Sequence, residues 1–165
     1  MIKPAVLTAI NKQIQHEQNN AHVYQAVSLY FGRLNLHGLE GFMAQQANDE
    51  LTHAEKLIRH VADRGGTVAL ASLPTPKNEF ASPLEAVKSV RDLEHATTEM
   101  IHRLFELARK EGDCALEVLL HWFIAEQVEE EQWSDELTAL MEQFHEHPGQ
   151  VFMVDHRWGK RVKKG

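Results

Sequence analysis

Apolar residues recur at alternating steps of three and four along four long stretches of this chain, and this period most constrains its fold. The stretches run over 5–32, 38–64, 83–111 and 114–146. Steps of three and four keep side chains on one face of an α-helix, whereas a half-buried strand would show strict alternation, which these stretches lack. At about 1.5 Å per residue, each predicted helix is roughly 40 Å long. The sequence therefore predicts an all-α protein.

The connections between the predicted helices indicate how the helices are arranged in space. Short breaks join the first helix to the second and the third to the fourth, so each pair is predicted to be antiparallel. The segment 65–82, at about 3.3 Å per extended residue, can span roughly 60 Å, the whole length of a bundle. We expect an up-down four-helix bundle over 1–147, with one long crossover between helices 2 and 3. The stretch 148–165 is predicted to add a short C-terminal fifth helix and a basic tail to the same domain, although "RWGKRVKKG" has no obvious apolar face.

One glutamate interrupts each apolar stripe near the midpoint of its helix. A single acidic residue on such a face is usually a boundary residue whose carboxylate reaches solvent. Four of them at matching height in four packed helices would instead meet at one level of the core. Buried carboxylates cannot all stay ionised unless protons or cations neutralise them. The four residues are Glu17, Glu50, Glu94 and Glu130.

His53 favours a metal ion over protons as the neutralising partner. It lies three residues after Glu50, so both side chains project from the same side of the helix, one turn apart. A neutral imidazole relieves little negative charge but is a good ligand for a transition metal. Oxygen-rich sites with one histidine suit iron or manganese and also bind zinc. This pair is a weak motif alone and a strong one together with the other three glutamates.

Four segments of the sequence resemble bacterial non-haem ferritins, members of the ferritin-like di-iron superfamily, and the resemblance covers most of residues 1–155. The segments are "QIQHEQNNAHVYQAV", "NDELTHAEKL", "VRDLEHAT" and "LHWFIAEQVEEEQW". The resemblance implies a ferritin-like bundle with two iron positions in each chain. It implies that Glu17, Glu50 and His53 hold the first iron. Glu94 and Glu130 would hold the second, and Glu50 would bridge the two.

The resemblance also implies two further residues beside this centre. Gln127 matches the family's polar neighbour of the iron pair. Tyr24 matches a tyrosine that serves the family as hydrogen-bond partner or one-electron donor, and the alternative is a core tyrosine with a satisfied hydroxyl. The catalytic residues implied in this way are Glu17, Tyr24, Glu50, His53, Glu94, Gln127 and Glu130, all of which except Tyr24 are also implied to bind metal.

A third, looser iron site near the inner surface is a further implication of the resemblance. Glu126 and Glu129 match its pattern, and Glu130 would be shared with the second iron position. Asp49 stands where members of the family often carry glutamate, and its shorter side chain places the carboxylate further back. A solvated acidic face is the alternative interpretation of these residues.

Two departures from related families narrow the expected subfamily. Bacterioferritins bind haem through a methionine directly after the second-helix glutamate, and this chain has Leu51 there. Bacterioferritins and rubrerythrins carry a second Glu-x-x-His on the fourth helix, but here Trp133 follows Glu130 at that spacing. We therefore expect no haem.

Composition excludes several other classes of function. The net charge of −7 disfavours a nucleic-acid partner, because phosphate binding requires a basic surface. No apolar run approaches the roughly 18 residues that a membrane-spanning helix requires, and the N-terminus has too little apolar length for a signal peptide. The single cysteine, Cys114, rules out an internal disulfide and CxxC metal sites. A cytoplasmic protein without a membrane partner is expected.

The function implied by the resemblance is iron storage and detoxification. The chain would act as a ferroxidase that oxidises Fe(II) to Fe(III) with O₂ or H₂O₂ at an intra-subunit di-iron centre, and mineral would be stored in a hollow homo-oligomeric shell of 24 subunits. One alternative is a non-storing di-iron peroxidase or oxidase of the rubrerythrin type, with the same ligands. A second alternative is a helical interaction module whose buried acids are protonated or point outward.

Overall fold

The computed structural model describes residues 1–162, and this part of the chain forms five α-helices and no strand. The helices are α1 (Pro4–Arg33), α2 (His37–Asp63), α3 (Pro83–Glu111), α4 (Cys114–Phe144) and α5 (Pro148–Gly159). The predicted all-α four-helix bundle with a long crossover and a fifth helix is confirmed, and the predicted helix ends agree to within two residues. None of the described helices is both long and apolar enough to span a membrane.

The turn between α3 and α4 is defined by local backbone chemistry. Gly112 follows α3 with a φ of 70°, a left-handed conformation that glycine adopts without a Cβ clash. Asp113 then caps α4, and its carboxylate accepts a hydrogen bond from the amide of Leu116 at 3.1 Å. At the other end of α3, the hydroxyl of Ser82 accepts from the amide of Glu85 at 3.2 Å. These caps satisfy amides that have no partner within their own helix.

The crossover between α2 and α3 runs beside α1 over most of its length. Near the start of α1, the side-chain amide of Asn11 donates to the backbone carbonyl of Thr67 at 3.2 Å. At the end of α1, the guanidinium of Arg33 donates to the carbonyl of Asn78 at 2.9 Å. The crossover therefore returns the chain to the end of the bundle where α2 begins, which allows α3 to run in the direction of α2.

The bundle core consists of two apolar clusters separated by a layer of buried polar residues. One cluster contains Phe31 and Met43 and lies towards the end at which α2 begins, and the other contains Ile14 and Leu57 and lies towards the opposite end. Thirteen polar or charged side chains are buried in the described residues, and many of them lie between the two clusters. The polar layer includes all four of the glutamates that interrupt the apolar stripes, Glu17, Glu50, Glu94 and Glu130.

Helix α5 packs closely against the beginning of α2. The carboxylate of Asp155 accepts a hydrogen bond from the amide of Leu39 at 2.8 Å, and so satisfies a free N–H at the start of α2. A Cβ added at Gly38 would lie 2.0 Å from the carbonyl oxygen of Asp155, so this contact requires glycine. The backbones of the two helices therefore approach each other without an intervening side chain.

The expectation that the C-terminal stretch has no apolar face to pack is wrong for Trp158, which is fully buried. Val151, Val154 and Trp158 follow each other at steps of three and four, so they form the buried face of α5. The stripe was hidden in the sequence because Trp158 is its only member within "RWGKRVKKG". The end of the predicted basic tail, 163–165, lies outside the described residues.

Candidate metal centre

Glu17, Glu50 and His53 form a compact group of potential metal ligands in the polar layer. Their side chains are only 0%, 2% and 4% exposed, respectively. The Nδ1 atom of His53 lies 3.8 Å from Oε2 of Glu17 and 3.7 Å from Oε2 of Glu50. One ligand atom from each residue lies within 4.8 Å of the other two, and no other triad of His, Cys, Asp or Glu in residues 1–162 meets this condition. A single cation between them could contact all three.

Two buried amides orient the carboxylates of this triad. Nε2 of Gln13 donates to Oε1 of Glu17 at 2.7 Å, and Nδ2 of Asn20 lies 3.5 Å from Oε2 of Glu50. Oε2 of Glu17, by contrast, is buried and receives no hydrogen bond from the part of the chain that the structure describes. Buried carboxylate oxygens almost always have a partner, so an oxygen that faces His53 without one is a suitable contact for a cation.

Glu94 is held by neighbours from two other helices. The hydroxyl of Tyr24 donates to Oε1 of Glu94, and Nε2 of Gln127 lies 3.3 Å from Oε2. Burial, and then the charge of Glu94, raise the pKa of Tyr24 well above its usual range, so the phenol remains a donor. Both Tyr24 and Gln127 thus lie beside the centre and contact the same carboxylate.

Glu130 is held by a residue that the sequence analysis did not assign to the site. The indole N–H of Trp133, one turn later on α4, donates to Oε2 of Glu130. The Trp133 ring packs edge-on against Phe42, with 4.9 Å between the ring centroids, and also contacts Tyr24. A second Glu-x-x-His motif would place a histidine ligand at this position. Trp133 places a hydrogen-bond donor there instead.

The four glutamates have strongly perturbed acidities. Burial raises the pKa of Glu17 well above its usual range, and repulsion by Glu50 raises it further. Burial also raises the pKa of Glu50 well above its usual range, and repulsion by Glu94 raises it further. Burial, opposed by two hydrogen bonds, raises the pKa of Glu94 to about 7. Burial and the charge of Glu94 raise the pKa of Glu130 to about 8. At neutral pH, this layer therefore carries protons that an incoming cation would displace.

The residues of the predicted third iron site line an open cleft beside Glu130. The cleft has a volume of about 610 Å³, and its walls include Asp49, Glu126 and Glu129. The charges of Asp49 and Glu126 contribute to the raised pKa of Glu130, so these carboxylates lie within electrostatic reach. They do not close into a triad with all ligand atoms within 4.8 Å.

The structure adds Gln13, Asn20 and Trp133 to the residues singled out from the sequence. Gln13 lies four residues before Glu17, Asn20 three residues after it, and Trp133 three residues after Glu130. These spacings place each of them on the same helix face as its glutamate, one turn away. For Gln13 and Asn20, a polar residue at such a spacing was the available signal, but the spacing alone does not reveal which group the side chain contacts.

These features define a helical-bundle protein with a buried, carboxylate-rich candidate metal centre. A family model described as "Ferritin-like domain" matches residues 7–144. A "Bacterial non-heme ferritin" of Staphylococcus haemolyticus is 38% identical over 131 residues, or 79% of each chain. One from Staphylococcus aureus strain USA300 is 30% identical over 162 residues, or 98% of each chain. The chain belongs to the ferritin family.

Solved ferritin structures agree with this assignment. An open pore ferritin of the archaeon Archaeoglobus fulgidus has a TM-score of 0.94 and 32% identity, with coverage of 99% of this chain and 100% of its own. A humanized archaeal ferritin has a TM-score of 0.96 and 32% identity over the full length of both chains. Family, fold and the carboxylate–histidine triad together support iron storage and ferroxidase chemistry at a general level.

Proposed function

We propose that this protein oxidises Fe(II) to Fe(III) at a di-iron centre within each chain and stores the product as mineral inside a shell of 24 copies. The observation that carries the proposal is the buried set of four carboxylates, two of which lie within 3.8 Å of His53. Within residues 1–162, no lysine or arginine forms an ion pair with any of the four. Divalent cations are the partners that would neutralise such a set.

In this proposal, Fe(II) is the substrate, and the residues divide into two positions. Glu17 and His53 serve the first position, Glu94 and Glu130 serve the second, and Glu50 contributes to both. Each Fe(II) gives up one electron, so a pair supplies the two electrons that convert O₂ and two protons to H₂O₂, or H₂O₂ and two protons to water. Hard carboxylate oxygens favour Fe(III) over Fe(II), which lowers the reduction potential and drives the oxidation.

The neighbours of the centre prepare it for this reaction. Tyr24 and Gln127 donate to the two oxygens of Glu94, and therefore orient that carboxylate before metal arrives. The raised pKa of Glu130 makes it a proton carrier that is neutral when the position is empty and anionic when metal binds. Binding of the substrate thus expels protons, and this keeps the buried layer near charge balance.

Storage requires a closed container, and an exposed apolar surface of the chain supports assembly with further copies. Leu29, Leu51 and Leu70 are 62%, 52% and 70% exposed. They line a largely apolar groove of about 620 Å³ between α1, α2 and the crossover. Twenty-four copies would carry a formal charge of 24 × −7 = −168, a field that concentrates cations at the shell.

We propose that Asp49, Glu126 and Glu129, with Glu130, form a third, weaker iron site in the adjoining cleft. The cleft opens directly beside Glu130, so iron leaving the second position meets carboxylates at once. The wider spacing of these groups suits transient binding. The exposed free thiol of Cys114 is compatible with a reducing compartment, and we place the protein in the cytoplasm.

Size and iron content measured together test the proposal. After aerobic addition of Fe(II), a particle of about 450 kDa (24 × 18.8 kDa) that carries many iron atoms per chain is expected from size-exclusion chromatography with metal analysis. A dimer-sized particle that oxidises iron without retaining it would instead indicate a non-storing oxidase or peroxidase of the rubrerythrin type. A chain that binds no iron would contradict both.

Replacement of His53 tests the centre itself. His53→Ala should slow rapid Fe(II) oxidation by about 10–100-fold while the shell still assembles, because it removes a ligand of the first position. His102→Ala is the matched control, since His102 is an exposed histidine on α3. Equal stopped-flow rates for the two variants would contradict the assignment of His53.

A further inference from the structure

A chain of polar contacts leads from Glu50 across the bundle to α1 and α3. Nδ2 of Asn20 lies 3.5 Å from Oε2 of Glu50 and 3.1 Å from Oγ1 of Thr97. The same hydroxyl oxygen lies 2.8 Å from Nε2 of His16. Asn20 is fully buried, and Thr97 is 1% exposed. The contacts of Thr97 with Asn20 and with His16 go beyond the roles assigned above.

The direction of each hydrogen bond in this chain follows from the hydroxyl of Thr97. A hydroxyl has one hydrogen, and that of Thr97 is donated to the carbonyl of Leu93 at 2.9 Å. Thr97 must therefore accept from both Asn20 and His16, so Nε2 of His16 carries its ring proton. Rotation of the Asn20 amide by 180° would place its oxygen against two acceptors. The amide is consequently fixed with its nitrogen towards Glu50.

This fixed amide distinguishes the two oxygens of Glu50. Oε2 is the oxygen near Asn20, and it is also the oxygen 3.7 Å from Nδ1 of His53. The Asn20 contact therefore falls on the oxygen that faces His53, on the side of the first position, and Oε1 is the oxygen left for the second. A carboxylate that bridges two cations must present one oxygen to each. If its orientation is fixed before the metal binds, no free energy is spent on ordering it during binding.

We propose that Asn20 and Thr97 are positioning residues that set the bridging orientation of Glu50; the inference rests on the proposed di-iron function. Thr97 fixes the amide of Asn20, and Asn20 fixes the carboxylate. A purely structural role accounts less well for Asn20, because its Oδ1 atom is buried and no group in residues 1–162 donates a hydrogen bond to it. An amide selected only to satisfy its surroundings would not leave that acceptor unpaired.

The chain offers a closely matched control for a test of Thr97. Thr138 on α4 is also buried, at 2% exposure, and its hydroxyl also donates to a carbonyl four residues earlier, that of Ser134, at 2.7 Å. Unlike Thr97, it accepts no side-chain hydrogen bond within residues 1–162. Valine has the shape of threonine without the hydroxyl, so T97V and T138V differ only in whether acceptors for Asn20 and His16 are lost.

The experiment titrates the assembled, metal-free protein with Co(II), which does not undergo the oxidation and reports its ligands through its visible spectrum. We expect two Co(II) ions per chain in the wild type, with the second bound about five-fold more weakly in T97V, because the lost contacts are ordinary hydrogen bonds. T97S should restore wild-type binding, and T138V should retain it. Asn20→Leu, which removes the amide directly, should reproduce the loss seen in T97V.

Several outcomes would overturn the inference. Equal Co(II) affinities in T97V and T138V, or failure of T97S to restore binding, would show that the hydroxyl does not act on Glu50. Wild-type Co(II) affinity in Asn20→Leu would show that Asn20 does not position Glu50. This result would overturn the inference even if T97V did not fold. Wild-type protein that binds no pair of Co(II) ions would refute the proposed di-iron function together with this inference, whereas a normal wild type with unaffected variants would refute the inference alone.

Discussion

Binding of a divalent cation to the metal-free centre should release protons, because its glutamates are partly protonated at neutral pH. The perturbation is the addition of Zn(II) or Co(II), neither of which is oxidised, so that binding is observed without the redox reaction. A carboxyl that becomes a metal ligand must lose its proton. The number of protons released therefore measures how far burial has raised the pKa values of the four glutamates.

The expected number can be worked from the pKa values of the two less extreme groups. With a pKa of about 8, Glu130 is roughly 0.9 protonated at pH 7, and Glu94, with a pKa of about 7, is roughly half protonated. Together they should release about 1.4 protons per chain. Glu17 and Glu50, whose pKa values are raised well above the usual range, add up to two more. Exposed carboxylates with ordinary pKa values would release almost none.

Isothermal titration calorimetry in buffers of different ionisation enthalpy counts these protons. Glu130→Gln should lower the release at pH 7 by about 0.9 proton per chain, because the amide cannot be protonated in this range. Glu142→Gln, on the exposed face of α4, should leave it unchanged. A release below about one proton in the wild type at pH 7 would refute the argument that burial keeps these acids protonated.

Three further predictions concern stability and the neighbours of the centre. In the metal-free protein, the folded state binds the proton of Glu94 more tightly than the unfolded state does. The stability that Glu94 contributes should therefore be fully present below pH 4.5 and be lost as the pH rises through about 7, a loss of about 3 kcal/mol. Urea unfolding across this range measures the loss, which Glu94→Gln should remove; an equal loss in wild type and variant would contradict the reasoning. Gly38→Ala should loosen α5 and lower the free energy of unfolding by about 1–3 kcal/mol, because its Cβ would meet the backbone of α5. Gly149→Ala should be nearly neutral, since a Cβ there would meet no other part of residues 1–162 within 4 Å. Equal melting temperatures of the two variants would contradict this. Trp133→Phe should keep the ring packing but remove the hydrogen bond to Glu130. Zn(II) should then bind several-fold more weakly, as calorimetry can measure. Unchanged affinity would show that Trp133 contributes packing alone.

The main helices and the position of the polar layer could be predicted from the sequence because both depend on local regularities. The rise and twist of an α-helix are nearly constant, so residues such as Glu17 and Glu50 can be placed on a face and at a height by counting. The length of the crossover then limits the order of the helices. Glu50 and His53 share one helix, and their spacing alone brings them to one side of it.

Contacts that cross between helices could not be predicted in the same way. Whether Asn20 reaches Thr97 depends on the rotation of α1 relative to α3, and a small error in that angle directs the amide elsewhere. The role of Trp133 was hidden because its indole is apolar enough to read as core, while its N–H determines its effect on Glu130. The packing of Trp158 depends on where α5 meets α2, which no local pattern encodes.

The arrangement of the core indicates what the polar layer costs and why its position matters. Two apolar clusters stabilise the ends of the bundle, and the layer of acids between them opposes folding when no metal is present, because burial disfavours the charged form of each group. Well-packed hydrophobic residues in place of buried ionic groups commonly leave stability unchanged or increase it. Stability of the metal-free chain therefore does not account for Glu17, Glu50, Glu94 and Glu130. Bound cations would offset the free-energy cost of burying these carboxylates. The apolar clusters on both sides would hold the ligands at a fixed spacing for the cations.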